Sequence, residues 1–122
     1  MPYYRDAELE RIRETISEEV RSGVNMLTAS YLVRRHRLPP NRVQTVLADL
    51  VSVGDLEIRY QLLCSGEHQN FDVDREFRNE HDIPTGTITC SRCGDLYTPH
   101  RENILISFEP TSSFKHDLQK VS

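Results

Sequence analysis

Residues Ala48 to Cys64 read ADLVSVGDLEIRYQLLC, and this stretch decides how the chain is built. Its first part closes an amphipathic helix, and Gly54-Asp55 supplies a turn. From there Leu56, Ile58 and Tyr60 alternate with Glu57, Arg59 and Gln61, the period of a strand with one buried face. Leu62 and Leu63 then lead to Cys64, the first of three cysteines. The stretch therefore predicts a joint shared by two modules, with helices before it and a cysteine- and histidine-bearing module after it.

Working back from this joint, Val43, Val46, Leu47, Leu50 and Val51 recur three and four apart and predict a helix starting near Asn41. Pro39 and Pro40 suit the turn before it and its first position, because proline has no amide hydrogen to lose there. Leu38-Pro39-Pro40 also ends a preceding helix, TASYLVRRHR, with Thr28 as N-cap and with Tyr31, Leu32 and the stem of Arg35 as its buried positions. Further back, Leu9, Ile12, Ile16 and Val20 form the stripe of a first helix within Asp6 to Ser22, and Gly23 stops it.

A longer helix, two short helices joined by a tight turn, then a glycine turn and a strand: over Leu27 to Leu63 this order resembles the winged helix-turn-helix superfamily. The resemblance implies a three-helix domain over residues 1–63 whose third helix, Asn41 to Val53, enters the major groove of double-stranded DNA. Under that reading Asn41, Arg42, Gln44 and Thr45 face base edges, while Arg34, Arg35 and Arg37 meet phosphates. Asp49 lies on the same face and opposes phosphate. The strand shows no obvious return as a second wing strand, so it is expected to fix the following module rather than to reach for DNA.

Beyond the joint, Cys64-Ser-Gly-Glu-His68 and Cys90-Ser-Arg-Cys93-Gly94 have metal-ligand spacing. Tetrahedral zinc takes four soft or borderline ligands from two short turns, and glycine after Cys-x-x-Cys lets the backbone fold its amides toward the sulfurs. Cys64, His68, Cys90 and Cys93 are therefore the expected ligands of one structural Zn²⁺. His100 is the competing fourth ligand, and His36, His81 and His116 are read as solvent-exposed. CSRCG resembles a zinc-ribbon knuckle. The whole layout, winged helix followed by zinc ribbon, resembles small prokaryotic and archaeal accessory transcription factors.

The expected fold class is thus α+β: three N-terminal helices, then a small β zinc-ribbon-like module over 64–110 and an amphipathic segment over 111–122. Within the module, residues 67–86 are acidic and read as mostly irregular with a short strand or helical turn, Thr87 to Thr89 as a strand, and Asn103 to Phe108 as a strand closed by Pro110. Phe114, Leu118 and Val121 share one side of the last segment, which either caps the module or docks a protein partner or a second copy.

The formal net charge of −4 opposes non-specific attraction to nucleic acid. Its distribution is uneven: RRHRLPPNR, residues 34–42, holds four arginines and no acid, and the excess of Asp and Glu lies mostly after Cys64. Three cysteines cannot all pair within one chain, which favours metal thiolates over a disulfide framework. No apolar run approaches the roughly 20 residues that span a bilayer, and MPYYRDAELERIRE has no apolar core of a signal peptide. A cytoplasmic protein without a membrane partner is the expectation. Glu67 beside His68 matches no hydrolytic zinc signature, and a four-ligand site is closed, so no catalytic residue is assigned. The function expected is a zinc-stabilised, DNA-binding accessory or regulatory protein; the alternative is a non-enzymatic adaptor in a protein assembly.

Overall fold

The computed structural model describes residues 4–66 and 73–120. It is α+β: α1 (Ala7–Arg21), α2 (Ala29–His36), α3 (Pro40–Ser52), β1 (Leu56–Leu63), β2 (Val73–Phe77), β3 (Ile88–Thr89), β4 (Leu96–Tyr97), β5 (Ile104–Pro110) and α4 (Ser112–Lys120). Two short 3₁₀ turns, Glu80–Asp82 and Arg101–Asn103, join the later strands. The strands form a three-stranded sheet in the order β2-β1-β5 and a two-stranded one of β3 and β4. The chain divides into two compact units, Met1–Glu57 with Phe108–Ser122, and Ile58–Ser107.

Local chemistry sets the helix ends in the first unit. Asp6 caps α1 by accepting from the amides of Glu8 (2.9 Å) and Leu9 (3.3 Å), and Thr28 Oγ1 caps α2 by accepting from the Tyr31 amide at 3.1 Å. Arg37, the one described non-glycine residue with positive φ (53°), ends α2. Pro39 precedes α3 and Pro40 is its first residue, one position before the expected start. Gly54 at φ 83° ends α3, with Asp55 N donating to Leu50 O (2.9 Å) and Gly54 N to Val51 O (3.1 Å). That pair of bonds is the Schellman arrangement, which needs a left-handed residue after the cap.

The buried stripe of α1 is Ile12, Ile16 and Val20, with Leu9 only half-buried; α3 contributes Val43, Val46, Leu47 and Leu50. Leu27, Leu32, Leu38, Leu56, Phe108, Phe114 and Leu118 complete this core. Leu32 alone is buried on α2. Tyr31, expected inside, is exposed because its phenol turns outward to donate to Glu19 (3.1 Å to Oε2).

The last segment, expected either to pack as a cap or to dock a partner, is packed, and its cover is α1. Phe114 and Leu118 are not an exposed docking face: both are buried, and α4 packs against α1. Thr111 holds the helix there, its amide donating to Asp55 O (2.9 Å) and its hydroxyl to Gly54 O (2.9 Å) while accepting from the Phe114 amide. Leu27 and Phe108 exchange two backbone bonds of 2.8 Å, closing the same end. Val121 lies outside the described residues.

In the second unit β1 does find an antiparallel partner: Tyr60, Gln61 and Leu62 face Phe77, Glu76 and Arg75, and Leu63 faces Val73. Asp74 is left without an opposite residue, a β-bulge in β2. Leu62, Cys64, Cys90 and Tyr97 form the core of this unit, with Phe77, Ile88, Cys93 and Ile104 packed around them.

Candidate metal centre and the exposed face of α3

The sulfurs of Cys64, Cys90 and Cys93 lie within 4.8 Å of one another, and all three cysteines are free thiols. Cys64 arrives on the end of β1, and Cys90 and Cys93 flank a tight turn between β3 and β4. That turn is closed by Gly94 N donating to Cys90 O (3.0 Å) and Cys90 N to Asp95 O (2.8 Å), with Gly94 at φ 80°. Two amides aim at sulfur, Gly66 N at Cys64 Sγ and Arg92 N at Cys90 Sγ, each at 3.4 Å. The Arg92 amide favours the thiolate of Cys90 over its thiol.

The donor set fits a thiophilic metal. Zinc–sulfur bonds of about 2.3 Å set tetrahedral sulfurs ~3.8 Å apart, and Cys64 Sγ is 3.6 Å from Cys93 Sγ. Hydrogen bonding from the Cys93 amide, then from Arg92, lowers the Cys90 thiol below its usual range. Cys93 is pushed up to about 11: the Asp95 amide works against that rise, while burial and the two neighbouring sulfurs drive it.

Of the expected four ligands, the three cysteines converge, and His68 lies outside the described residues. His100 does not join the cluster; it is exposed before the Arg101–Asn103 turn. His81 and His116 are exposed as expected. His36 is not: it is half-buried with Nε2 2.7 Å from Glu19 Oε1. Glu19 thus gathers both Tyr31 and His36, a pairing hidden by the separation of α1 and α2 in sequence.

Two residues around the sulfurs escape a reading of ligand spacing. Gly66 is buried against Asp95, so closely that a Cβ on it would collide with the Asp95 Cβ. Asp74 is buried on β2 and accepts from Ser91 N (2.8 Å), Ser91 Oγ (2.6 Å) and Tyr97 OH, with Arg75 Nε at 3.3 Å. Burial raises its pKa, but the Ser91 and Tyr97 hydrogen bonds and Arg75 outweigh it and hold the carboxyl below its ordinary value. No sequence signal marks either residue, since an acidic spacer looks solvated and a glycine beside a cysteine looks like part of the turn.

On the first unit, Arg34, Arg35 and Arg37 are exposed, as are Asn41, Gln44, Thr45 and Ala48 on α3. A shallow groove of about 280 Å³ runs between α2 and α3, lined by Ala29, Ser30, Val33, Arg34, Pro40 and Gln44. Arg42 departs from expectation. Its guanidinium is bound to Asp6 Oδ2 (2.7 Å) and Glu8 Oε1 (2.8 Å) at the start of α1, and it holds Asp6 below the usual carboxylate range. Asp49, the acid of the same helix, accepts from Tyr4 OH at 2.7 Å. No described helix is long and apolar enough to cross a membrane. Comparison with protein-family models, curated proteins and solved structures found no match to this chain.

Proposed function

We propose that this chain is a non-enzymatic, zinc-stabilised DNA-binding protein in which α3 is the recognition helix. The observation that carries the DNA reading is the exposed strip Asn41, Gln44, Thr45 and Ala48 on α3, with Arg34 beside Gln44 in the groove between α2 and α3 and with Arg35 and Arg37 exposed as well. Asn and Gln suit adenine edges, the small Ala48 lets the helix approach, and the arginines suit phosphate. Arg42 serves less as a base reader than as a tie between α3 and α1, since two carboxylates already occupy it. The zinc reading rests on the three converging thiols, with His68 as the proposed fourth ligand.

Polarisation titrations of the full chain against duplex DNA at several salt concentrations test this. Affinity should fall with salt, and Arg34→Ala with Arg35→Ala should weaken binding to all sequences and reduce the salt slope by roughly 1 per phosphate contact removed. Gln44→Ala should relax sequence preference, by about 1–3 kcal/mol if it reads an adenine in bidentate fashion. Absence of binding at low salt would overturn the DNA reading.

One observation favours an adaptor instead: the acids of α1 neutralise Arg42 on a chain that is acidic overall. Such an adaptor would not dock through the buried Phe114 and Leu118, but through exposed side chains such as Leu105 and Ile106 of β5. Its discriminator is a co-purifying protein lost when Leu105 and Ile106 are made polar.

A further inference from the structure

A carboxylate removed from water is costly unless donors surround it. The Asp74 side chain is fully buried, and four donor contacts converge on it: Ser91 N and Ser91 Oγ on Oδ1, Tyr97 OH and Arg75 Nε on Oδ2. Ser91 Oγ also lies 3.1 Å from the Asp74 carbonyl, so this one serine is held by side chain and backbone alike. Ser91 follows Cys90 directly, and the Tyr97 ring packs with Leu62, Cys64 and Cys90.

How Asp74 comes to face this cluster is a matter of register. Residues three apart on a regular strand point to opposite faces, yet Phe77 packs on the sulfur-bearing core while Asp74 bonds its Tyr97. The bulge at Asp74 resolves the conflict, because an extra residue re-aims the side chain next to it. The chain gives up a ladder position on β2, and the carboxylate gains the Cys90-Cys93 turn.

Resting on the metal reading above, we propose that Asp74 is the positioning residue of the metal centre, fixing the Cys90-Ser-Arg-Cys93 turn through Ser91 and Tyr97 so that its two sulfurs are preset for the ion. It touches no sulfur. Its effect is to remove the cost of ordering the turn when metal binds, since Ser91 cannot swing away without leaving the buried Oδ1 of Asp74 unpaired.

The test is titration of the full chain with Co²⁺, read by thiolate-to-cobalt absorption, followed by competition with Zn²⁺. Asp74→Asn should weaken metal binding by about 10–100-fold. Ser91→Ala should weaken it by less, and the Asp74→Asn, Ser91→Ala double variant should be no weaker than Asp74→Asn alone, because both act through one contact. Should Asp74→Asn fail to fold, Tyr97→Phe and Ser91→Ala carry the same test, each lowering affinity. Wild-type affinity in these variants, or losses that simply multiply in the double variant, would overturn the proposal. Absence of thiolate-to-cobalt absorption in the unaltered chain would instead overturn the metal reading on which it rests.

Discussion

Gly66 shows how much one residue carries in a unit this small. Its amide donates to Cys64 Sγ at 3.4 Å, and its missing Cβ leaves the space that Asp95 occupies. Gly66→Ala must push the turn before residue 67 away from the turn after Cys93, an overpacking that costs roughly 1–3 kcal/mol. A lowered urea midpoint in the alanine variant is the expected result, and an unchanged midpoint would contradict the close approach. Capping by Thr28 is a milder case: Thr28→Ala orphans the Tyr31 amide and should cost about 1 kcal/mol by the same measurement. The N-cap was legible in sequence because its partner is three residues away. Gly66–Asp95, Arg42–Asp6 and Glu19–His36 were not, because each joins segments that only the fold brings together. Arg42 in particular looks like a free DNA-facing arginine in sequence and is an ion-paired one in the fold.

At the scale of elements, periodicity located α1, α2 and α3 to within a residue or two, and Gly54 marked the turn into β1. The same logic found the apolar side of α4 without saying what covers it. Phe114 and Leu118 are spaced to share one face whether that face meets a partner or this chain's own α1. Burial distinguishes the two. Phe114→Ala should destabilise the protein by about 3–5 kcal/mol, as a large core truncation does, read from denaturant unfolding followed by circular dichroism. A docking arm would lose nothing measurable. β2 was the element least visible in advance: VDREF has only one strongly apolar pair, Val73 and Phe77, and its bulge breaks the alternation that would announce a strand.

For the molecule as a whole, the two units rest on different forces. Residues Met1–Glu57 with Phe108–Ser122 enclose most of the buried aliphatic and aromatic side chains, whereas Ile58–Ser107 centres on Leu62, Cys64, Cys90 and Tyr97. A core of that size seldom supports a fold unaided, and under the metal reading proposed above a structural ion makes up the difference. Zinc removal by a strong chelator is therefore expected to expose amides of β1 beyond Ile58, β2, β3 and β4 to hydrogen exchange before those of α1 and α3. Equal protection in both units after chelation would contradict this division of labour. Cysteine spacing made the convergence of the three thiols legible from sequence; the contacts of Asp74 and Gly66 around them were not, because they depend on a bulge and on a close approach of two turns.

The most direct test of the account is the metal content of the purified full chain by elemental analysis, set beside a Cys93→Ser variant. About one zinc per chain, lost together with the folded Ile58–Ser107 unit in the variant, is the expected result. A metal-free chain in which that unit remains fully folded would contradict it.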